Sequence, residues 1–126
     1  MSDKSTLSQF GHVFQSKIIS SLLSDKKFIQ TISDILEPEY FDSDANKWIA
    51  KEVREYFFEY KTPPTLEVMK VKIDEMENEV LQVSVVENLK ESWRNVKSTD
   101  LKFVQEQTLE FCRNQVMKNA IMDSVD

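Results

Sequence analysis

Apolar residues recur at helical spacing along nearly the whole chain and divide it into six predicted helices. Phe10, Phe14, Ile18 and Leu22 lie four apart, with Val13, Ile19 and Leu23 widening the stripe, so a core-facing helix is expected to end near Ser24. Asp25 offers a short carboxylate to cap a second helix through Phe28, Ile29, Ile32 and Ile35, which Pro38 should stop because proline lacks an N–H. Pro38, Tyr40 and Phe41 then form an aromatic knot. Asp42 or Ser43 caps a third helix to about Tyr60, whose inward face is Ala45, Ile49, Val53, Phe57 and Tyr60, with Trp48 and Tyr56 alongside. Thr62-Pro63-Pro64 holds the chain extended, and Thr65 caps a fourth helix carrying Leu66, Met69, Ile73 and Met76.

A fifth helix spans about Asn78 to Val96 with Leu81, Val85, Leu89, Trp93 and Val96 in register, and a sixth runs from near Asp100 to the end. So short a connection predicts that the two pair antiparallel as a hairpin. The expected fold class is therefore all-α: a compact bundle of about four helices (residues 1–77) followed by a helical hairpin (residues 78–126). The sixth helix carries two stripes, one of Leu101, Val104, Thr108 and Phe111, the other of Leu109, Cys112, Val116 and Ala120, with Met117, Ile121 and Val125 extending the apolar surface. A helix apolar on two sides needs two neighbours, which points to an external partner. No helix stop precedes Asp126, so the chain is expected to be cut from a longer polypeptide.

Composition narrows the function. With 126 residues, 40% apolar and 30% charged, the chain can bury a core and is neither a disordered tail nor a membrane span. The polar start MSDKSTLSQ lacks the apolar block of a secretory signal, so a cytoplasmic location is expected. A net charge of −6 argues against direct DNA binding by the domain as a whole. Residues 1–84 carry 10 basic and 15 acidic side chains and residues 85–126 carry 6 and 7, so the acidity sits in the first two thirds. Lys90, Arg94, Lys97 and Lys102 form a small basic cluster around the last turn.

Each constellation that could carry chemistry has a plainer reading. Asp42-Ser43-Asp44-Ala45-Asn46 begins like a calcium loop, but Lys47 stands where the bend needs glycine and Val53 where the bidentate glutamate belongs, so it reads as a capping cluster. His12 has no second metal ligand beside it, and Cys112, the single cysteine, lies in an apolar stripe. Gly11 is the only glycine, so neither phosphate-binding loop pattern can be written. Tyr56, Phe57, Phe58 and Tyr60 with Lys51 and Arg54 suggest base stacking, yet Glu52, Glu55 and Glu59 on the same helix cancel the field that would draw in a strand. No catalytic, cofactor-binding or metal residues are expected in this chain.

In order, FQSKIISSLLSD (Phe14 to Asp25), EPEYFDSDANKWI (Glu37 to Ile49) and TPPTLEV (Thr62 to Val68) resemble the N-terminal domain of DnaB-type replicative DNA helicases, most of all those of tailed phages. DLKFVQ (Asp100 to Gln105) and RNQVMK (Arg113 to Lys118) look like that family's helical hairpin. Bacterial members often carry a histidine where Asn46-Lys47-Trp48 stands here. The resemblance implies a non-catalytic oligomerisation domain in DNA replication, forming the collar of a hexameric ring by pairing hairpins, docking a primase or helicase loader, and residing in the host cytoplasm if phage-encoded. ATP and magnesium would belong only to a motor domain absent from this chain, in a parent ATP-dependent helicase. Leu89, Trp93, Val104, Thr108, Phe111 and Val116 are the expected hairpin and pairing residues. The competing reading is the helicase-binding domain of a primase, or a small helicase-loader protein.

Overall fold

The computed structural model describes residues 6–124, with side-chain environments through residue 120. Its six helices are α1 (His12–Ser24), α2 (Lys26–Ile32), α3 (Asp44–Tyr60), α4 (Leu66–Asp74), α5 (Glu79–Arg94) and α6 (Leu101–Ser124). Single 3₁₀ turns lie at Leu7–Phe10, Pro38–Tyr40 and Asn95–Lys97, and no strand occurs among the described residues.

The helix starts follow local chemistry. The Asp25 carboxylate accepts from the amides of Lys27 (3.0 Å) and Phe28 (3.2 Å), and Ser43 accepts from Asn46 (3.1 Å). Thr65 accepts from Val68 (3.2 Å) and Asn78 from Leu81 (3.0 Å). Each such cap contributes about 1 kcal/mol. α1 starts differently: Gly11 stands at its N-cap with φ 84° and ψ 173°, a conformation essentially reserved for glycine.

α2 stops at Ile32, earlier than the apolar pattern suggests, and Ile35 lies in the turn beyond. The amides of Ile35 and Leu36 both close on the Ile32 carbonyl, while Arg54 Nε takes the Ser33 carbonyl at 2.7 Å. Pro38 therefore opens the next 3₁₀ turn instead of ending α2.

α1 is the axis of the molecule and packs on α2, α3, α5 and α6. Ile18, Ile19, Leu22 and Leu23 are buried together with Gln15, Ser16, Ser20 and Ser21, so the helix has almost no solvent face beyond its first turn. Serines let a neighbouring backbone come close: Ser20 Oγ donates to the Ser92 carbonyl of α5, and Ser92 itself is fully buried. The hydroxyls of Ser16 and Ser92 are buried without a hydrogen-bond partner among the described residues.

This central helix changes the arrangement of the last two. α5 packs on α3 and α1, and α6 packs on α1 and α2, whereas α5 and α6 make no extensive contact with each other. The expected antiparallel pairing is replaced by packing of each helix on α1, whose apolar and small side chains face both. One continuous core takes in Leu7, Val53, Val85, Val104 and Cys112, so it crosses the expected boundary between residues 77 and 78.

The aromatic knot fastens this core. Phe41 is buried, and Tyr40 meets Phe111 of α6 edge-on at 5.3 Å while Phe10 does so at 6.2 Å. Val13 and Tyr60, expected inside, are 56% and 57% exposed in the first turn of α1 and the last turn of α3. Tyr60 instead meets Tyr56 with the rings tilted by 39° and their centroids 4.5 Å apart.

Candidate functional site

Groups with chemical potential are spent on structure. Asp42 accepts from the Ser8 hydroxyl and from Gln15 Nε2 (3.0 Å), and its amide donates to Gln15 Oε1 (3.0 Å). The Ser8 and Gln15 hydrogen bonds hold the Asp42 carboxyl below the usual carboxylate range, and they tie the knot to α1. Arg54, on the face of α3 that mixes aromatic and basic residues, donates to the Ser33 carbonyl and pairs with Glu37 at 3.1 Å, its guanidinium 5.3 Å from the Phe58 ring. Its charge is thereby committed within the fold. His12 meets Glu91 at 2.9 Å on the surface.

Cys112 is buried, and burial, with Glu37 adding, pushes its thiol up to about 12, so it is protonated and unreactive at neutral pH. Burial likewise raises the Tyr40 phenol, with Cys112 and Glu37 adding. No group of three or more metal-ligating side chains is assembled among the described residues. No helix among them is long and apolar enough to cross a membrane.

The six expected interface residues separate into two sets. Val104, Thr108 and Phe111 are buried at 1%, 0% and 6% exposure against the body, and Leu89 at 8%. Val104, Thr108 and Phe111 pack α6 against the body, and Leu89 packs α5 while its edge lines the groove between α4 and α5. Trp93 and Val116 are 44% and 46% exposed. They lie on different helices and face different surroundings, which makes two candidate surfaces.

The first surface is the distal part of α6. The helix is pinned at its start, where Asp100 pairs with Lys17 (2.8 Å) and Gln105 Nε2 reaches Ser21 Oγ and the Asp25 carboxylate, each at 3.2 Å. The Lys17 hydrogen bond lowers the Asp100 carboxyl below its ordinary range. Past Cys112 only Gln115 is buried, and residues 116–120 are all exposed. At 100° per residue Val116 and Ala120 follow half-buried Leu109 along the edge of the buried strip, and Met117 (62% exposed) lies further round, turned away from the body. The side chains of Ile121 and Val125 lie outside the described residues.

The second surface is a groove between α4 and α5. Leu66, Ile73, Val86, Leu89 and Trp93 line it, and its volume is 560 Å³, within the usual range of ligand sites. Lys70, Lys90, Arg94 and Asp74 stand at its rim. A second hollow of 510 Å³ along Pro63, Pro64 and Lys26 shares the walls Leu66 and Trp93 with it, so the two adjoin. α4 is short and touches little of α5, which leaves the cleft open. Reading the sequence selected Leu89 and Trp93 but assigned them to pairing with α6; that α4 supplies the opposite wall was not visible. The Lys90 and Arg94 cluster was the available signal.

No protein-family model matches the chain, and comparison with curated proteins and with solved structures gives no match. What is established is the class: an all-α domain organised around a central buried helix.

Proposed function

We propose that the chain is a non-catalytic assembly and docking module, of the kind that forms the collar of a hexameric replicative DNA helicase and receives a primase or helicase loader. The observation that carries this reading is distal α6, where Val116, Met117 and Ala120 are exposed outside the buried strip of Val104, Thr108, Phe111, Cys112 and Gln115 and form an apolar surface that the chain's own body does not cover. A second copy presenting the same face would cover both arms at once, as a two-fold contact requires. The order of the opening helix, the aromatic knot, the proline joint and the DLKFVQ and RNQVMK segments supports the helicase collar among assembly modules.

Static light scattering across a concentration series tests the reading. The molar mass should rise above the 14.8 kDa of one chain, and Val116→Glu with Met117→Glu should hold it there without loss of helical content. A mass fixed at one chain at the highest concentrations would sink pairing through this domain.

A further inference from the structure

We infer that the α4–α5 groove is a docking site for an acidic amphipathic helix of a partner protein. The inference deepens the docking half of the proposed function and involves a different face from the α6 arm. The floor is apolar and the exposed Trp93 lines both hollows, so a bound apolar side chain would contact an aromatic surface of the kind that anchors interfaces. Charge decides the partner. The chain is acidic overall at −6, yet the rim of this groove brings together Lys70, Lys90 and Arg94 against Asp74. None of those three cations forms an ion pair among the described residues, whereas Lys72 on the same helix α4 pairs with Glu52 at 3.2 Å. Unpaired cations beside an apolar cleft complement carboxylates that flank an apolar stripe, and they steer such a partner inward.

Dimensions choose a helix. From Leu66 to Ile73 on α4, and from Val86 to Trp93 on α5, the walls each extend roughly 10 Å at the helical rise, or about two turns. That length accepts apolar residues at i, i+3 or i+4, and i+7 of a partner helix.

The test uses the whole chain with Trp48→Phe, which leaves Trp93 as its only tryptophan. It is titrated with a synthetic helix of about 14 residues that carries leucines at those positions and glutamates alongside. Trp93 fluorescence should shift, with a Kd below about 100 μM at low salt. A peptide with lysines in place of the glutamates should bind at least about 10-fold more weakly, and Lys70→Glu with Lys90→Glu should reverse that preference. Both changes are at exposed positions, and circular dichroism checks that the fold is kept. Absence of binding, or equal binding of both peptides, overturns the inference. So does an oligothymidylate that binds as tightly with a steep salt slope, which would reassign the groove to single strands. Loss of self-association in the charge-reversed variant would also overturn it, making the groove a contact between copies. The Val116→Glu, Met117→Glu variant should still bind the acidic peptide, so failure of the arm and failure of the groove are distinguishable.

Discussion

α1 and α6 are both apolar over much of their surface, yet one is enclosed by the fold and the other leaves it. α1 has 13 residues, four of them serines, and eight of the 13 are buried; α6 has 24 residues, and beyond Cys112 only Gln115 is buried as far as residue 120. Apolar content alone does not separate them, since 6 of 13 residues in α1 and 11 of 24 in α6 are apolar. The size of the polar residues does. Ser16, Ser20 and Ser21 are polar but small, so α1 can sit close to its neighbours, and helical Ser and Thr hydroxyls can satisfy themselves on the preceding turn, as Ser20 does on the Ser16 carbonyl at 3.0 Å. α6 has as many apolar residues in proportion but turns Val116, Met117 and Ala120 away from the strip it buries. The difference separates stability, concentrated at α1, from surface, concentrated at distal α6 and the α4–α5 groove.

The contrast can be broken most forcefully at α1. Ile18→Ala removes a fully buried side chain at the centre and should cost about 2–5 kcal/mol in urea unfolding. A cost near zero would mean that α1 is not the axis. Next in size is protection of Cys112, which lies where α6 is still held. A thiol reagent at pH 8 should modify it at least about 100-fold more slowly than in the urea-unfolded chain, because reaction requires α6 to lift away. Rapid modification in the native state would extend the loose part of α6 back into its packed half.

The role of size is tested by a pair of substitutions. Ser20→Leu should cost about 1–3 kcal/mol by forcing α1 from α5, while Ser16→Ala, which removes a buried hydroxyl with no partner among the described residues, should be neutral or stabilising by up to about 1 kcal/mol. Equal destabilisation by both would assign the importance to the hydroxyls and not to their volume. Smallest of all, Val116→Ala and Met117→Ala should change monomer stability by less than about 0.5 kcal/mol, since both side chains are largely exposed. A larger loss, measured under conditions where the chain is monomeric, would show that the distal arm contributes to the fold.

Much of the fold was legible along the chain because helix starts are decided within a few residues. The caps at Asp25, Ser43, Thr65 and Asn78 are each a side chain bonding an amide two or three positions on. The candidate site was legible only in part. Trp93 and Val116, expected as hairpin and pairing residues, are exposed, whereas Val104, Thr108 and Phe111 carry the same periodic signal and are buried. Periodicity marks which residues share a face and is silent on what covers it.

The amino-acid sequence by itself determined six helices, the caps at Asp25, Ser43 and Thr65, the absence of two glycine-rich phosphate-loop patterns and the acidic balance, since these depend on residue type and near neighbours. Tertiary structure alone decided that α1 lies at the centre, that α5 and α6 lean on it instead of on each other, that Tyr40 and Phe10 clasp Phe111, and that Lys70 of α4 joins Lys90 and Arg94 of α5 around one groove. Those outcomes follow from competition among distant surfaces for burial, where the depth to which a neighbour can approach is set by side-chain size across the interface. That competition has no signature in a single stretch of sequence.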